Sequence, residues 1–425
     1  MDVTITPRQG LKGLFSVPGD KSISHRALFI GALAEGTSVI KGLSRGDDPL
    51  STMRCLRALG VEILDQRDQV TIVGRGLKGL RPARNELDAG NSGTTIRLLT
   101  GILSGQRFDS TISGDASLRR RPMKRIIDPL TMMGAKIKAT ENLTPPVAIT
   151  GVPKLSSITY ELPVASAQVK SALLFAGLFA DGTTTVVESI RTRDHTERML
   201  GLKVVAGGSK TVIEVEGGTK IEPRDFRVPG DFSSAAFLLV AGLLVPGSDL
   251  TIRNVGLNPT RTKLLDILCN HGANVAILNR EVIGGEPVGD IRVRSSELHG
   301  DITLGGNDVA ALIDEIPSLV VAWMFSNFNL TLRDARELRV KESDRIKALV
   351  VNLRAVGLDV TEFDDGFAFR GNNDVLGGVI DSFDDHRIAM AFGVAGLRTK
   401  EGIRVQRADC VSISYPRFWD VLQAM

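Results

Sequence analysis

The sequence predicts an α/β protein of two domains. Each is an inside-out barrel of three β-α-β-α-β-β units, with helices buried and sheets facing outward. Three observations predict this. A polar or charged lead-in to a run rich in Ala, Gly and Leu occurs six times, with markers Ser22, Asn91, Ser166, Asp231, Asp314 and Asp384 spaced 65 to 83 residues apart. Self-similarity on a fixed scale means copies of one supersecondary unit. A second pattern, helical apolar spacing followed by Gly and an apolar strand, starts near Thr52, Arg125, Thr262 and Arg345. Finally, Val17-Pro18-Gly19-Asp20 recurs as Val228-Pro229-Gly230-Asp231, ahead of the first and fourth copies.

Each element has a local reason. The six polar-led runs are apolar on most faces, which marks buried helices. Ala235 to Val245 is the longest and is too short to span a bilayer. Ser, Asn and Asp at their starts are cap residues for unpaired N–H groups. Gly after the second helix of a unit permits the positive φ of a helix stop. Strands are expected around Ser38–Lys41, Val70–Val73, Thr183–Val187, Leu250–Arg253, Asn329–Arg333 and Ile403–Gln406. The segment from Thr196 is a shorter second helix, and Pro416 to Met425 closes the chain. Reading the Val-Pro-Gly-Asp repeats as chain crossings gives one domain at 21–229. The other is discontinuous, at 1–20 plus 230–425, and the active site is expected in the cleft between them.

Composition narrows the function. The chain has 425 residues, 43% hydrophobic and 24% charged, with a net charge of +3. That near balance offers no basic stripe for nucleic acid, and two Tyr and two Trp offer few stacking platforms. Met1 to Arg8 has no apolar core of the signal-peptide kind, so none is expected. The scattered Cys55, Cys269 and Cys410 suit reduced thiols in the cytoplasm, and no His/Cys spacing suits a metal. No phosphate-loop or dinucleotide fingerprint is present, so neither a metal nor a cofactor is expected.

The chemistry is expected at helix starts, where N–H groups and the dipole favour anions. Lys21, Ser22 and Arg26 share the mouth of the first helix. In Gly90-Asn91-Ser92-Gly93-Thr94-Thr95-Ile96-Arg97, Asn91 is expected to cap the turn, and Gly93 to let a ligand approach the backbone. Leu118 to Arg125 is the densest basic cluster, with Pro122 expected early in a helix, where it would aim Arg121. Ser166-Ala167-Gln168 opens the third copy. Asp194 and Glu197 have capping-box spacing. In Arg339 to Arg345, Lys341 and Arg345 are expected on one helical face, with Glu342 reaching Arg345 at i, i+3. Asp314, and Asp384-Asp385-His386-Arg387, add carboxylates beside basic groups. A carboxylate so placed stays ionised and can act as a general base. A solvated charged surface remains the plain alternative for each motif taken alone. His25 and His386, taken alone, are more often structural than catalytic.

Eight of these motifs, in order along almost the whole chain, resemble the 5-enolpyruvylshikimate-3-phosphate synthase family. They are Pro-Gly-Asp-Lys-Ser-Ile-Ser-His-Arg, Gly-Asn-Ser-Gly-Thr-Thr-Ile-Arg, Leu-Arg-Arg-Arg-Pro-Met, Ser-Ala-Gln-Val-Lys-Ser, Arg-Asp-His-Thr-Glu, Ile-Asp-Glu-Ile-Pro, Leu-Arg-Val-Lys-Glu-Ser-Asp-Arg and Asp-Asp-His-Arg. The resemblance implies transfer of the enolpyruvyl group of phosphoenolpyruvate to shikimate 3-phosphate. It implies that Lys21, Ser22, Arg26, Ser166, Gln168 and Arg193 hold shikimate 3-phosphate, with Ala167 beside them. Gly93, Arg121, Arg345 and Arg387 would hold phosphoenolpyruvate, with Asn91, Thr94 and His386 nearby. Asp314 would take the proton of the attacking hydroxyl. Glu342, helped by Lys21 or Lys341, would protonate the methylene carbon. Small-molecule substrates, a monomer and no membrane or nucleic-acid partner complete the expectation.

The chain departs from some family members at three positions. Ala167 stands for a second Ser, Glu337 for Asn, and Ile413 for a Lys facing phosphoenolpyruvate. Gly93, rather than Ala, leaves room for glyphosate. The rival of the same fold, an enolpyruvyl transferase acting on UDP-N-acetylglucosamine, commonly carries a reactive Cys before the Arg-Pro pair. Gly114-Asp115-Ala116-Ser117 has none. An RNA-processing protein and a non-catalytic phosphometabolite-binding protein are the alternatives from other classes.

Overall fold

The structure, a computed structural model, describes residues 1–66 and 68–425. The chain divides into two compact units. The N-half unit comprises Gly19–Val228 with Gly284–Glu286. The C-half unit comprises Met1–Pro18, Pro229–Ile283 and Pro287–Met425. Both exchanges near the Val-Pro-Gly-Asp repeats fall inside them, at Pro18/Gly19 and Val228/Pro229.

Among the described residues the sheets are separate and open, and none closes on itself. In the N-half unit, Glu35–Lys41 pairs antiparallel with Gln69–Arg75, which pairs with Glu62–Asp65. The short strand Phe226–Arg227 completes that sheet in parallel, beside Ile40 and Lys41. Two more four-stranded sheets follow the same plan, one ending in Val147–Thr150 and one in Lys210–Glu216. In the C-half unit, Lys12–Ser16 runs parallel to the Asp249–Gly256 strand. Val3–Ile5 pairs antiparallel with Ile403–Gln406. The N-terminal strands thus complete the first and last sheets of the C-half unit.

Each unit has its own apolar core, built on its helices. The helices Lys21–Leu33, Gly93–Ser104 and Ala167–Gly177 are buried along most of their length in one unit. Phe232–Leu244, Ile316–Met324 and His386–Gly396 are their counterparts in the other. An all-round apolar helix must bury every face, and each fully buried Leu or Phe contributes roughly 1.5–3 kcal/mol. Most charged residues therefore lie near the helix starts, and one placed further in, such as Lys170, needs buried counter-charges. The helix-stop glycines behave as the pattern requires, with φ of 83° at Gly60 and 94° at Gly357. Such angles strain residues with a Cβ.

Several local expectations are corrected. Ser92, not Asn91, caps the second buried helix, accepting from the Thr95 N–H at 3.0 Å. Asp314 lies in a turn, and the helix after it begins at Ile316. That helix has no side-chain cap. Pro317 sits in its first turn, where a missing N–H costs nothing. Asp384 is likewise not a cap, since Asp385 accepts from the Arg387 N–H at 3.0 Å. Asp194 makes no cap either, because Arg191 and Arg198 take its carboxylate at 2.9 and 2.8 Å. Pro122 precedes the helix, which starts at Lys124. Lys341 ends the 3-10 turn Arg336–Val340 while Arg345 opens the next helix, so they share no helical face.

Candidate active site

The N-half unit gathers basic groups around the starts of its buried helices. Asp20 caps Lys21–Leu33 by accepting from the Ile23 N–H at 2.8 Å. Lys21, the first helical residue, reaches Asp48 at 3.0 Å. One turn on, Arg26 is buried and held on three sides. Its Nε donates to Thr196 Oγ1 at 2.6 Å, Nη2 to Ser171 Oγ at 2.7 Å and Nη1 to the Ser22 carbonyl at 3.0 Å. Arg193 Nη1 donates to Ser22 Oγ at 3.4 Å. Burial lowers the Arg26 guanidinium to about 10, against the pull of Glu197.

The next helix start continues the set. Arg121 donates to Asn91 Oδ1 at 2.6 Å, and Asn91 Nδ2 donates to Asp115 at 2.7 Å. Asn91 therefore aims a guanidinium instead of capping a helix. Gln168 bridges two copies, donating to Thr94 Oγ1 at 3.0 Å and accepting from Arg97 Nη1 at 2.8 Å. Ser166 caps Ala167–Gly177, accepting from the Val169 N–H at 3.4 Å. Ala167 is the first residue of that helix. A Cβ at Gly93 would lie 2.7 Å from Arg97 Nη1 and 3.2 Å from Arg121 Nη1. Glycine is thus what lets two guanidinium groups close over this helix start.

Beneath these residues runs a buried hydrogen-bond chain. His25 Nδ1 meets Thr52 Oγ1 at 2.7 Å, which meets Thr95 Oγ1 at 2.7 Å, which donates to Ser92 Oγ at 2.8 Å. Burial, with Lys21 and Arg26 nearby, holds His25 well below the usual imidazole value, so it is neutral and structural.

The C-half unit assembles a different set. Arg345, 1% exposed, is its hub. Its Nε donates to Asp385 at 2.7 Å and its Nη2 to Glu342 at 2.5 Å, while Asp314 lies 3.5 Å from Nη1. Arg387 donates to the Asp314 carbonyl at 2.9 Å and sits 3.5 Å from its carboxylate. Burial opposes the Arg345 charge, but Asp385, Glu342 and Asp314 outweigh it and raise its pKa. Lys341 is half-buried, and desolvation lowers its pKa despite Asp314 and Glu337. His386 is buried as the first residue of its helix. Glu337 lies in the 3-10 turn before Lys341. Ile413 packs against the apolar core and brings no charge.

Asp48 and the hydroxyls of Ser171 and Thr196 join these groups as partners that the motifs alone do not reveal. Arg261, which no motif marks, is buried beside Asp231 and Glu315 and donates to Ser233 Oγ, which in turn donates to Glu315. A signal existed, because charged residues inside apolar runs need partners. Among the described residues no group of His, Cys, Asp and Glu is arranged to hold a metal ion, and no helix is long and apolar enough to cross a membrane.

Fold and side chains define a class: an α/β protein whose buried helices gather basic groups around their starts. The family model for EPSP synthase (3-phosphoshikimate 1-carboxyvinyltransferase) matches residues 5–422, and the chain belongs to that family. It is 49% identical over 427 residues to the 3-phosphoshikimate 1-carboxyvinyltransferase of Pelobacter propionicus, covering 99% of this chain and 98% of that one. It is 50% identical over 426 residues to that of Solibacter usitatus, covering 100% and 99%. A solved EPSP synthase from Acinetobacter baumannii superposes with a TM-score of 0.86 at 44% identity, covering 100% of this chain and 97% of that one.

Proposed function

We propose that this chain transfers the enolpyruvyl group of phosphoenolpyruvate to the 5-hydroxyl of shikimate 3-phosphate, releasing phosphate. The observation that carries the reading is the cluster Asp314–Arg345–Glu342–Arg387. There, two carboxylates suited to proton transfer share the Arg345 guanidinium, and Asp314 also faces Arg387.

Both substrates are multiply anionic and repel one another, so the first task is electrostatic. Lys21, Ser22, Arg26, Ser166, Gln168 and Arg193 take shikimate 3-phosphate, with Ala167 leaving that helix start open. Arg121, Arg345 and Arg387 take phosphoenolpyruvate, with Gly93, Asn91, Thr94 and His386 around it. Fixed guanidinium groups need no reorganisation as charge develops, and holding both reactants turns a bimolecular encounter into a local one. Asp314 accepts the proton of the attacking 5-hydroxyl. Glu342, with Lys341 or Lys21 supporting it, protonates the methylene carbon. Addition gives a tetrahedral ketal. Elimination then breaks the C–O bond to phosphate, and the methylene proton returns to the protein.

The sugar-nucleotide reading gains no support from the cysteines. Cys55 and Cys410 are buried, and desolvation pushes both thiols up to about 12. Cys269 is also raised. None is a ready nucleophile at neutral pH. We take the protein to be a cytoplasmic monomer working on free metabolites, which sedimentation of the pure protein checks.

The deciding experiment is phosphate release from phosphoenolpyruvate with shikimate 3-phosphate or UDP-N-acetylglucosamine as acceptor. Release with shikimate 3-phosphate alone is expected. Release with the sugar nucleotide would replace the substrate, and release with neither would favour a binding role.

A further inference from the structure

We infer that Lys170, clamped by Glu188 and Glu197, is a positioning residue for the shikimate 3-phosphate contacts, acting through Arg193 and Arg26. The inference rests on the proposed reaction and adds residues to it.

Lys170 lies one turn into the helix Ala167–Gly177, where, Gln168 apart, the other side chains are small or apolar. Its side chain is 0% exposed, and those of Glu188 and Glu197 are 2% and 3% exposed. The ammonium is 3.1 Å from Glu188 and 2.6 Å from Glu197. Burying three charges is costly, and a well-packed apolar trio would hold a helix at least as well. Helix packing alone therefore does not account for the cluster.

Its neighbours do. Glu188 Oε2 accepts from both the backbone N–H and the hydroxyl of Thr192, at 3.2 and 2.8 Å. Lys170 Nζ approaches the Thr192 carbonyl at 3.5 Å. The residue before Arg193 is thus held at its N–H, its carbonyl and its side chain. Residues 189–194 have no helix or strand, so this clamp supplies what regular structure does not.

On the other side, Lys170-Ser171 and Thr196-Glu197 are two dipeptides stapled by one ion pair. Ser171 and Thr196 are the two hydroxyls that accept from Arg26, and they bond each other at 2.7 Å. Glu197 also supplies the leading attraction that keeps the buried Arg26 charged. Its second oxygen is buried without a hydrogen-bond partner, so Lys170 is the main compensation for its burial. One cluster therefore fixes both arginines.

The test is steady-state kinetics of the wild type, Lys170→Met and Thr192→Val, with the KM of each substrate measured separately and the melting temperature recorded. Thr192→Val leaves the ion cluster intact and loses one hydrogen bond. It should raise the KM for shikimate 3-phosphate about five- to tenfold, leaving that for phosphoenolpyruvate within about twofold. Lys170→Met should move the same KM further in the same direction. If Lys170→Met does not fold, Thr192→Val decides. Unchanged KM values, or equal shifts in both, with an active wild type would overturn the inference alone. A wild type that does not turn over shikimate 3-phosphate would overturn the proposed reaction, and this inference with it.

Discussion

Two buried arginines, one in each unit, are perturbed in opposite directions. Arg26 is held by two hydroxyls and a carbonyl, and burial lowers its pKa. Arg345 is held by Asp385, Glu342 and Asp314, and they raise its pKa against the same burial. The difference teaches what each unit is built for. Neutral acceptors aim a guanidinium without cancelling its charge, so its field remains available to an incoming anion. Carboxylate partners cancel much of that field, but leave ionised groups fixed within reach of a reacting atom. On the proposed reaction, the N-half unit holds shikimate 3-phosphate, and the C-half unit adds the proton-transfer carboxylates to its phosphoenolpyruvate contacts.

The largest expected effect breaks the C-half side. Asp314→Ala removes the proposed base and should lower kcat by about 10²–10⁴, the usual contribution of one acid/base group, measured as phosphate release at saturating substrates. A change smaller than about tenfold would move the base elsewhere.

Arg26→Lys breaks the N-half side. A lysine cannot match three donors in a fixed plane. Starting from ~10.4, the burial that lowers Arg26 would carry it towards neutrality. The KM for shikimate 3-phosphate should rise about 10- to 100-fold, and rise further between pH 7 and 9. A pH-independent loss would mean that geometry alone matters there.

Gly93→Ala sharpens the comparison at a single atom. The new Cβ would crowd Arg97 Nη1, the far end of a side chain that can swing. The KM for phosphoenolpyruvate should rise only about three- to tenfold, because a flexible neighbour yields. As it stands, Gly93 should give no steric resistance to glyphosate. Inhibition of the wild type at low concentration, weakened in the variant, is the expected pair of results.

The smallest effect concerns pH. Desolvation lowers the Lys341 pKa, so its charge is lost at lower pH than that of an exposed lysine. If that charge supports Glu342, the alkaline limb of kcat should fall below ~10.4. Lys341→Arg should move the limb upward, because arginine stays protonated. An alkaline limb at the same pH in the variant would assign it to another group.

Much of this was legible in the sequence. Repetition at helix starts pointed to both sets of groups, since buried apolar helices place most of their charged residues there. Gly60 and Gly357 marked helix stops because positive φ demands them. What stayed hidden depended on partners distant in sequence. Asn91 and Ser92 are equally good caps by type, and only the position of Arg121 shows which one is otherwise engaged. The spacing of Asp194 and Glu197 fits a capping box, but Arg198 and Lys170 compete for those carboxylates and win. Lys170 itself was the readable clue that went unused, as a charge inside an apolar helix that requires a buried counter-charge.

The division of labour is tested most directly by calorimetric titration of shikimate 3-phosphate into Arg26→Lys and Glu342→Gln side by side. The account predicts that Glu342→Gln binds within about threefold of the wild type while turning over about 100-fold more slowly, and that Arg26→Lys binds at least about tenfold more weakly. Weakened binding in Glu342→Gln with unchanged binding in Arg26→Lys would contradict it.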